Sequence, residues 1–185
     1  SVYYTEVEDE IMAILLNSQT TFQNAGTTDK IGFEFAGNYE LFTGLQIGAN
    51  YAYSDYEFDE FTEVVGGGPT ATEISHAGNQ MPYVPKHQYS LFAHYQHHNG
   101  FKARIQTNSW GEYYIDNANT EKYDGYDFVT NMMVGYDTGP HSIALNVDNV
   151  FDKHYAVEVK KDSRGTKYYS AASPITAMLI YNYNY

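Results

Sequence analysis

Apolar and polar side chains alternate along most of this chain with a period of two residues. In the segment 31–41, for example, Phe33 and Phe35 occupy odd positions, whereas Glu34 occupies the even position between them. Such alternation predicts a strand with one apolar and one polar face. A less regular opening strand is expected within residues 2–16, which brings the predicted total to eight. The clearer segments are 31–41, 45–54, 89–96, 101–106, 128–137, 142–151 and 175–185.

The connections between these segments are alternately short and long. Short turns are predicted around Gly44, Gly100 and Gly139, and the pair Asn99-Gly100 is typical of a two-residue hairpin. The long links are polar, and they cover residues 17–28, 59–86, 116–125 and 158–172. In an up-and-down meander every short turn would lie at one end of the sheet and every long link at the other. Outer-membrane barrels sort their connections in this way, with short periplasmic turns and long extracellular loops.

Strand length also favours a membrane barrel over a soluble sandwich. A tilted barrel strand needs about 9–11 residues to cross the bilayer, and the segments 31–41 and 45–55 reach that length. Strands of soluble sheets average about 5–6 residues. Charged residues are nearly absent from the apolar faces, as expected if these faces meet lipid. We therefore predict an all-β fold, a segment of about eight strands from a transmembrane antiparallel up-and-down β-barrel.

Composition excludes several classes of protein. The 185 residues carry 23 acidic against 10 basic side chains, and the formal charge of −13 argues against a nucleic-acid partner. The absence of Cys removes thiolate catalysis and zinc–sulfur sites. The 20 Tyr suit strands and lipid–water boundaries, and they predict two aromatic girdles. The girdle candidates are Tyr53, Tyr56, Tyr113, Tyr114 and Tyr155 at the long-link end, and Tyr39, Tyr95, Tyr136 and Tyr183 at the short-turn end.

Several stretches resemble motifs of a known family, the TonB-dependent outer-membrane receptors. Residues 22–26 (FQNAG) followed by 32–34 (GFE) resemble the family's Asn-Ala-Gly and Gly-x-Glu strand pair. Residues 81–87 (MPYVPKH) resemble its Leu-Pro-x-x-Pro-x-His stretch, and 149–155 (NVFDKHY) is similar to Asn-Leu-Phe-Asp-Lys-x-Tyr in the penultimate strand. The resemblance implies that residues 1–185 are a C-terminal segment of a 22-stranded barrel. The plug domain and the upstream strands of such a receptor are absent from this sequence.

The resemblance also implies a function. A receptor of this family actively imports a scarce nutrient across the bacterial outer membrane with energy relayed through TonB, and ferric siderophore is the commonest ligand class; haem, cobalamin and oligosaccharide are alternatives. The implied partners are outer-membrane lipid and lipopolysaccharide, the plug and upstream strands of the same receptor, and the TonB complex through the plug. No enzyme activity, catalytic residue, cofactor or metal site is predicted. A self-contained eight-stranded outer-membrane protein with a structural or adhesion role is the alternative class, and a soluble lipid-binding barrel is a third that the sorted links oppose.

Two groups of side chains are candidate sites. Lys160, Lys161 and Arg164 belong to a basic cluster in the last long link. They are candidates to meet an anionic ligand such as a ferric siderophore or the phosphates of the outer leaflet; otherwise they only solubilise the link.

The second group consists of Tyr181, Tyr183 and Tyr185, which give the last predicted strand an aromatic end. This end resembles the signal read by the barrel-assembly machinery, which recognition by strand addition would explain. The alternative for these residues is a purely structural role in closing the wall.

Acidic and histidine side chains give weaker signals. Carboxylates cluster over 55–63, where they are either solvated or able to bind a divalent cation. His97 and His98 are adjacent, so their side chains would point to opposite faces of a strand, which favours solvated turn residues over a metal pair. His76 is a further candidate for a haem or metal ligand.

Overall fold

Eight strands form one antiparallel sheet in which each strand pairs with its neighbours in chain order. The computed structural model describes residues 1–16, 19–24, 26–66, 68–162 and 165–184. The wall strands are β1 (Val2–Glu8), β2 (Thr27–Phe42), β3 (Leu45–Glu60), β4 (His87–Gln96), β5 (Phe101–Trp110), β6 (Tyr126–Thr138), β7 (His141–Asp148) and β8 (Thr176–Tyr183). The predicted all-β meander of about eight strands is confirmed. Among the described ranges, no helix is long and apolar enough to cross a membrane.

The register places the predicted apolar positions on one face, which we call the outer face. Residues directly opposite one another in an antiparallel pair lie on the same side of the sheet. One such row crosses β2 to β8 through Tyr39, Ile47, Ala93, Ile105, Met132, Val147 and Ala177. Large apolar side chains of this face are exposed, Phe35 by 52% and Leu179 by 67%. A contiguous apolar surface of this extent marks a surface that meets lipid or another protein.

The opposite, inner face carries polar side chains and a few aromatic rings. Its amides are linked to one another, as in the hydrogen bonds from Gln46 to Asn38 (3.1 Å) and from Gln106 to Asn108 (3.1 Å). The Phe92 ring lies across Gly48, where an added Cβ would approach the ring to 2.2 Å. The alternation in the sequence therefore separates two environments rather than one core and one surface.

The two edges of the sheet are β1 and β8. Within the part of the chain that the structure describes, β1 pairs only with β2 and β8 only with β7, and the two edges do not pair with each other. A self-contained eight-stranded barrel requires that closing pair. The open sheet does not support this alternative.

The short turns and the long loops lie at opposite ends of the sheet, as predicted. The short turns join β2 to β3, β4 to β5 and β6 to β7. Gly100 has a φ of 99° in its turn, and an added Cβ would lie 1.9 Å from the Asp137 carbonyl oxygen, so only glycine fits there. The long connections are loop 1 (residues 9–26), loop 2 (61–86), loop 3 (111–125) and loop 4 (149–175).

Each long loop contains a two-stranded ribbon that the sequence analysis did not predict. The opening segment 2–16 accordingly divides into β1 and the first strand of the loop 1 ribbon. The wall strands β2 and β3 each reach 16 residues, which is longer than predicted. The ribbons pair Ile11–Leu16 with Gln19–Asn24, Thr62–Val65 with Thr72–Ser75, Tyr113–Tyr114 with Lys122–Tyr123, and Ala156–Lys161 with Lys167–Ala171.

Candidate functional site in the long loops

Loops 2, 3 and 4 pack together over one end of the sheet and contain most of the apolar side chains that are buried among the described residues. One cluster joins Phe58, at the top of β3, to Phe61 and Met81 of loop 2, and Met12 of loop 1 packs against it. The other cluster joins loop 3 to loop 4 through Tyr113, Ile115, Ala156 and Val159. We call this assembly of loops 2, 3 and 4 the loop layer.

Side-chain amides join loop 2 to loop 3. Gln80 and Asn119 form a reciprocal pair, in which the Gln80 backbone N–H donates to Asn119 Oδ1 (2.7 Å) and Asn119 Nδ2 donates to the Gln80 carbonyl (2.8 Å). Asn79 Nδ2 donates to the Asn117 carbonyl at 2.9 Å. The Tyr83 hydroxyl donates to the Ile115 carbonyl at 3.1 Å. These bonds use main-chain groups that would otherwise be left unpaired under the loops.

Charged groups join loop 3 to loop 4. Glu121 receives Lys161 at 2.8 Å on one carboxylate oxygen and Lys167 at 2.7 Å on the other, while Asp116 lies 3.8 Å from Lys161. The hydrogen bonds from Lys161 and then Lys167 lower the pKa of Glu121 to about 2. We call these four residues the ion-pair cluster.

Loop 4 is also held by hydroxyl groups of loop 3. The Tyr113 hydroxyl accepts a hydrogen bond from the Val159 backbone N–H at 3.1 Å, and the Tyr123 hydroxyl donates to the Ala156 carbonyl at 2.5 Å. Burial raises the pKa of Tyr113. The same loop 3 segment therefore contacts loop 2 on one side and loop 4 on the other.

The prediction of the girdle tyrosines was wrong for two residues. Tyr113 is buried in the loop layer, because β5 ends at Trp110 and the residues beyond it no longer follow the wall. Tyr56 lies on the inner face, where its hydroxyl is 2.7 Å from that of Tyr3, because strand alternation turns even positions of β3 inward. The tyrosines at the short-turn end lie on the outer face, as Tyr39 does.

Two of the residues predicted for ligand binding, Lys160 and Lys161, are engaged in ion pairs to different degrees. Lys161 belongs to the ion-pair cluster, whereas Lys160 is 64% exposed and pairs with Glu158 at 3.1 Å. Arg164 lies outside the described residues. The role of these three residues as a ligand-binding patch stays a prediction. The sequence analysis did not identify Asp116 and Glu121 as partners of Lys161, although the opposite net charges of loops 3 and 4 were a signal for this pairing.

Two of the residues predicted as an assembly signal, Tyr181 and Tyr183, lie at the short-turn end of β8. Tyr181 and Tyr183 are exposed on the outer face, and the Tyr181 hydroxyl is 2.8 Å from His141 Nδ1. Tyr185 lies outside the described residues. Their role in assembly also stays a prediction.

The predicted acidic cluster is divided among separate contacts. Asp55 pairs with Lys86 at 2.7 Å, and Glu63 Oε2 is 2.9 Å from Nε2 of His76. His76 is only 3% exposed and packs its ring against Phe61. Among the described residues, no group of three or more His, Asp or Glu is arranged to hold a metal ion. His76 therefore has the contacts of a structural residue that joins the two sides of loop 2.

The inner face below the loop layer contains a groove with a volume of about 730 Å³. A second cavity of about 370 Å³ shares Asn108 and Tyr126 with it. The polar and aromatic lining of the first cavity includes Glu34, Asn50, Gln88, Ser90, Asn108 and Trp110. The amides and hydroxyls of this lining offer hydrogen-bond donors and acceptors beside apolar and aromatic surface, and few of the lining residues are charged.

Comparison with known proteins identifies the family. A family model described as "TonB dependent receptor-like, beta-barrel" matches residues 1–150. This chain belongs to that family. Its place is therefore the bacterial outer membrane, and the resemblance seen in the sequence motifs is confirmed.

Relatives of this TonB-dependent receptor barrel include siderophore receptors. The "Probable TonB-dependent siderophore receptor PiuA" of Acinetobacter baumannii is 27% identical over 192 residues, which cover all of this chain and 24% of that protein. The crystal structure of the siderophore receptor PiuA has a TM-score of 0.77, with 25% identity over 100% of this chain and 25% of that one. The "Ferrichrome outer membrane transporter/phage receptor" of Escherichia coli K12 is 29% identical over 67% of this chain and 16% of its own length. The chain thus spans a quarter or less of these relatives.

Proposed function

We propose that this chain forms part of the barrel wall and of the external loops in a receptor that imports a ferric siderophore across the outer membrane. The observation that carries the proposal is the sorting of the sheet, with an exposed apolar outer face, a polar inner face and an interlocked loop layer at one end only. The siderophore receptors among its relatives support the ligand class. The energy for transport would be supplied through TonB, on which the family depends.

The two faces and the loop layer would then have different partners. The outer face would contact membrane lipid, and the strand ends nearest the loops would contact lipopolysaccharide. The inner face and both sheet edges would contact the plug and the upstream strands of the same receptor, and the plug would contact TonB. Transport in this scheme requires binding and conformational change, with no enzymatic step.

The proposed capture site lies at the mouth that the loop layer borders. Lys160, Lys161 and Arg164 would increase the rate at which an anionic ferric complex arrives, because exposed charges act mainly through long-range attraction. The support for this role is strongest at Lys160, because its side chain is more exposed than those of Lys161 and Lys167, the other lysines of loop 4 that form ion pairs. Haem, cobalamin and oligosaccharide are the alternative ligands.

The last strand would have a second role, in assembly. Tyr181, Tyr183 and Tyr185 would present the aromatic end of β8 to the barrel-assembly machinery. Changing Tyr183 and Tyr185 to Ser in the full-length receptor should reduce the amount inserted and leave ligand affinity per inserted molecule unchanged. Normal insertion with weaker binding would refute the assembly role.

Uptake measurements with the full-length receptor test the transport proposal. Iron-starved cells that lack the gene should lose uptake of one ⁵⁵Fe-labelled siderophore from a panel, and the gene supplied in trans should restore it. A strain without TonB should not be restored. Unchanged iron uptake together with loss of haem, cobalamin or oligosaccharide uptake would reassign the ligand, and restoration without TonB would refute the mechanism.

A further inference from the structure

The motif at residues 149–155 lies where the chain leaves β7 and enters loop 4, and its polar side chains bind both ends of that loop. Asn149 is 4% exposed, and its Nδ2 donates to the Lys153 carbonyl (2.9 Å) and to the Ser173 carbonyl (3.2 Å). Its Oδ1 accepts the Lys153 N–H at 2.9 Å. Asp152 Oδ1 accepts the N–H of Ile175, immediately before β8, at 2.9 Å. One short turn thus holds together segments that are more than twenty residues apart in sequence.

The backbone of this turn explains why Asn and Asp occupy these positions. Asn149 has a φ of 50° and Asp152 a φ of 48°, both in the left-handed region that Asn and Asp tolerate better than other residues with a Cβ. The Asp152 N–H donates to the Asn149 carbonyl at 2.8 Å and closes the turn. Glycine would permit the same backbone but would supply neither side-chain contact.

The turn is also attached to the neighbouring wall strand β6. The Asn149 N–H donates to Asn131 Oδ1 at 2.9 Å, and the Val150 N–H donates to the Thr130 carbonyl at 2.8 Å. Lys153 Nζ donates to the Asp127 carbonyl at 2.6 Å. The root of loop 4 is therefore fixed to the wall, and not only closed on itself.

We propose that Asn149 and Asp152 are positioning residues for ligand capture, which fix the root of loop 4 so that its ribbon docks on loop 3. Docking depends on several contacts far from the root, including Val159 with Tyr113 and Lys161 with Glu121. These contacts require the ribbon to leave the wall in one direction. The consequence for capture rests on the proposed function, whereas the consequence for the loop itself does not.

The variant Asn149→Asp in the full-length receptor tests the proposal. It keeps the acceptor for the Lys153 N–H but places a carboxylate against two carbonyl oxygens. Trypsin added to intact cells should cleave loop 4 about ten-fold faster than in wild type, because the Lys153 and Ser173 carbonyls lose their donor and the open state becomes more populated. Siderophore binding per inserted receptor should fall by a similar factor. Asn146→Asp adds the same charge on the inner face of β7 and should leave both quantities at wild-type values.

Acidification separates a positioning role from general damage. Burial beside two carbonyls disfavours the charged form of the carboxyl group that Asn149→Asp introduces. A lower pH should therefore protonate it, restore a donor and bring the ratio of its cleavage rate to that of wild type at the same pH toward one. Asn149→Ala has nothing to protonate and should not recover. Four charged neighbours are present in every one of these variants, namely Asp148, Asp152 and Lys153, and Asp127 on β6. Their own titration therefore contributes equally to each variant and cancels in the comparison.

A second pair of variants covers the case in which changes at Asn149 prevent insertion. Asp152→Asn keeps an acceptor for the Ile175 N–H and should behave as wild type, whereas Asp152→Ala should expose loop 4 to trypsin. Wild-type cleavage in both Asn149→Asp and Asp152→Ala would overturn the proposal. If the variants are cleaved faster but neither they nor the wild-type receptor bind a ferric siderophore, the positioning role would stand and the proposed ligand would be refuted.

Discussion

The wall and the loop layer bury their apolar side chains in opposite ways. Phe35, on the outer face of the wall, is 52% exposed, whereas Phe58, at the top of the next strand, is fully buried beneath loop 2. The wall therefore leaves its apolar surface uncovered by the described residues of this chain, and its strand ladder satisfies its backbone. The loop layer supplies its own apolar clusters, amide pairs and ion pairs. Changes in the membrane should affect the first region, and changes in salt or pH the second.

The largest effect should come from removing the Phe58 ring, which loop 2 buries at the top of β3. Phe58→Ala should cost about 3–5 kcal/mol of local stability, as buried Phe-to-Ala changes do. Amide hydrogen exchange in the purified receptor should accelerate in loop 2, where the Gly78 N–H donates to the Phe58 carbonyl. Phe35→Ala is the matched change on the wall and should leave loop 2 unaffected. Equal acceleration in both variants would mean that the two regions do not differ as described.

A charge on the outer face should affect insertion. Leu145→Lys should cost about 2–4 kcal/mol if its row lies near the bilayer midplane, and less receptor should be recovered from outer membranes. Asn146→Lys places the same charge on the next residue, which faces inward, and should be tolerated. A reversed order of the two variants would assign the faces of the wall the other way.

Acid should open the junction between loops 3 and 4 before it affects the wall. Glu121 has a pKa lowered from 4.5 to about 2, so its ion pairs contribute stability that is present above pH 4.5 and is lost as the pH falls toward 2. The protection of the Val159 N–H against hydrogen exchange, taken relative to the intrinsic rate at each pH, should report this loss, and Glu121→Gln should abolish the pH dependence of that protection. High salt should weaken the junction in the same direction. If the stability of the junction in Glu121→Gln depended on pH as in wild type, Glu121 would be excluded as the titrating group.

The smallest effects should distinguish the two lysines of loop 4. Lys160→Gln should slow capture of an anionic ferric siderophore a few-fold and flatten its salt dependence, since steering acts on the association rate. Lys161→Gln should in addition accelerate hydrogen exchange at the junction, because Lys161 pairs with Glu121. Stopped-flow binding with each variant checks the first expectation, and hydrogen exchange checks the second. Identical exchange in the two variants would show that Lys161 contributes nothing to the loop layer.

The wall could be predicted from the sequence because one local rule determines it. The period of two separates the faces, and the short turns at Gly44, Gly100 and Gly139 set the register between neighbouring strands. The prediction for Tyr56 was wrong because it considered only that Tyr56 lies near a strand end. Tyr56 occupies an even position of β3, and even positions of β3 face inward. The motif at residues 149–155 was identified from resemblance, but its role required the positions of Ser173 and Ile175.

The loop layer could not be predicted because its contacts join residues that no local pattern connects. Asn79 and Asn117 are 38 residues apart, and Glu121 and Lys161 are 40 apart. The strands of the ribbons are only two to six residues long, which is too short for a clear alternating pattern. A single sequence does not show which polar residues of one loop meet those of another. The basic residues of loop 4 therefore looked free in the sequence, whereas Lys161 and Lys167 have partners in the structure.

The reciprocal pair of Gln80 and Asn119 has a consequence for transplanting specificity between receptors. The Asn119 side chain satisfies both the N–H and the carbonyl of Gln80, so a foreign loop 3 without an Asn at this position leaves both main-chain groups of the native loop 2 unpaired. The same graft breaks the junction with loop 4 at Glu121. Loops 2, 3 and 4 must therefore be exchanged together as one unit. Variants in which a single loop is replaced or randomised are expected to lose the contacts that join the three loops.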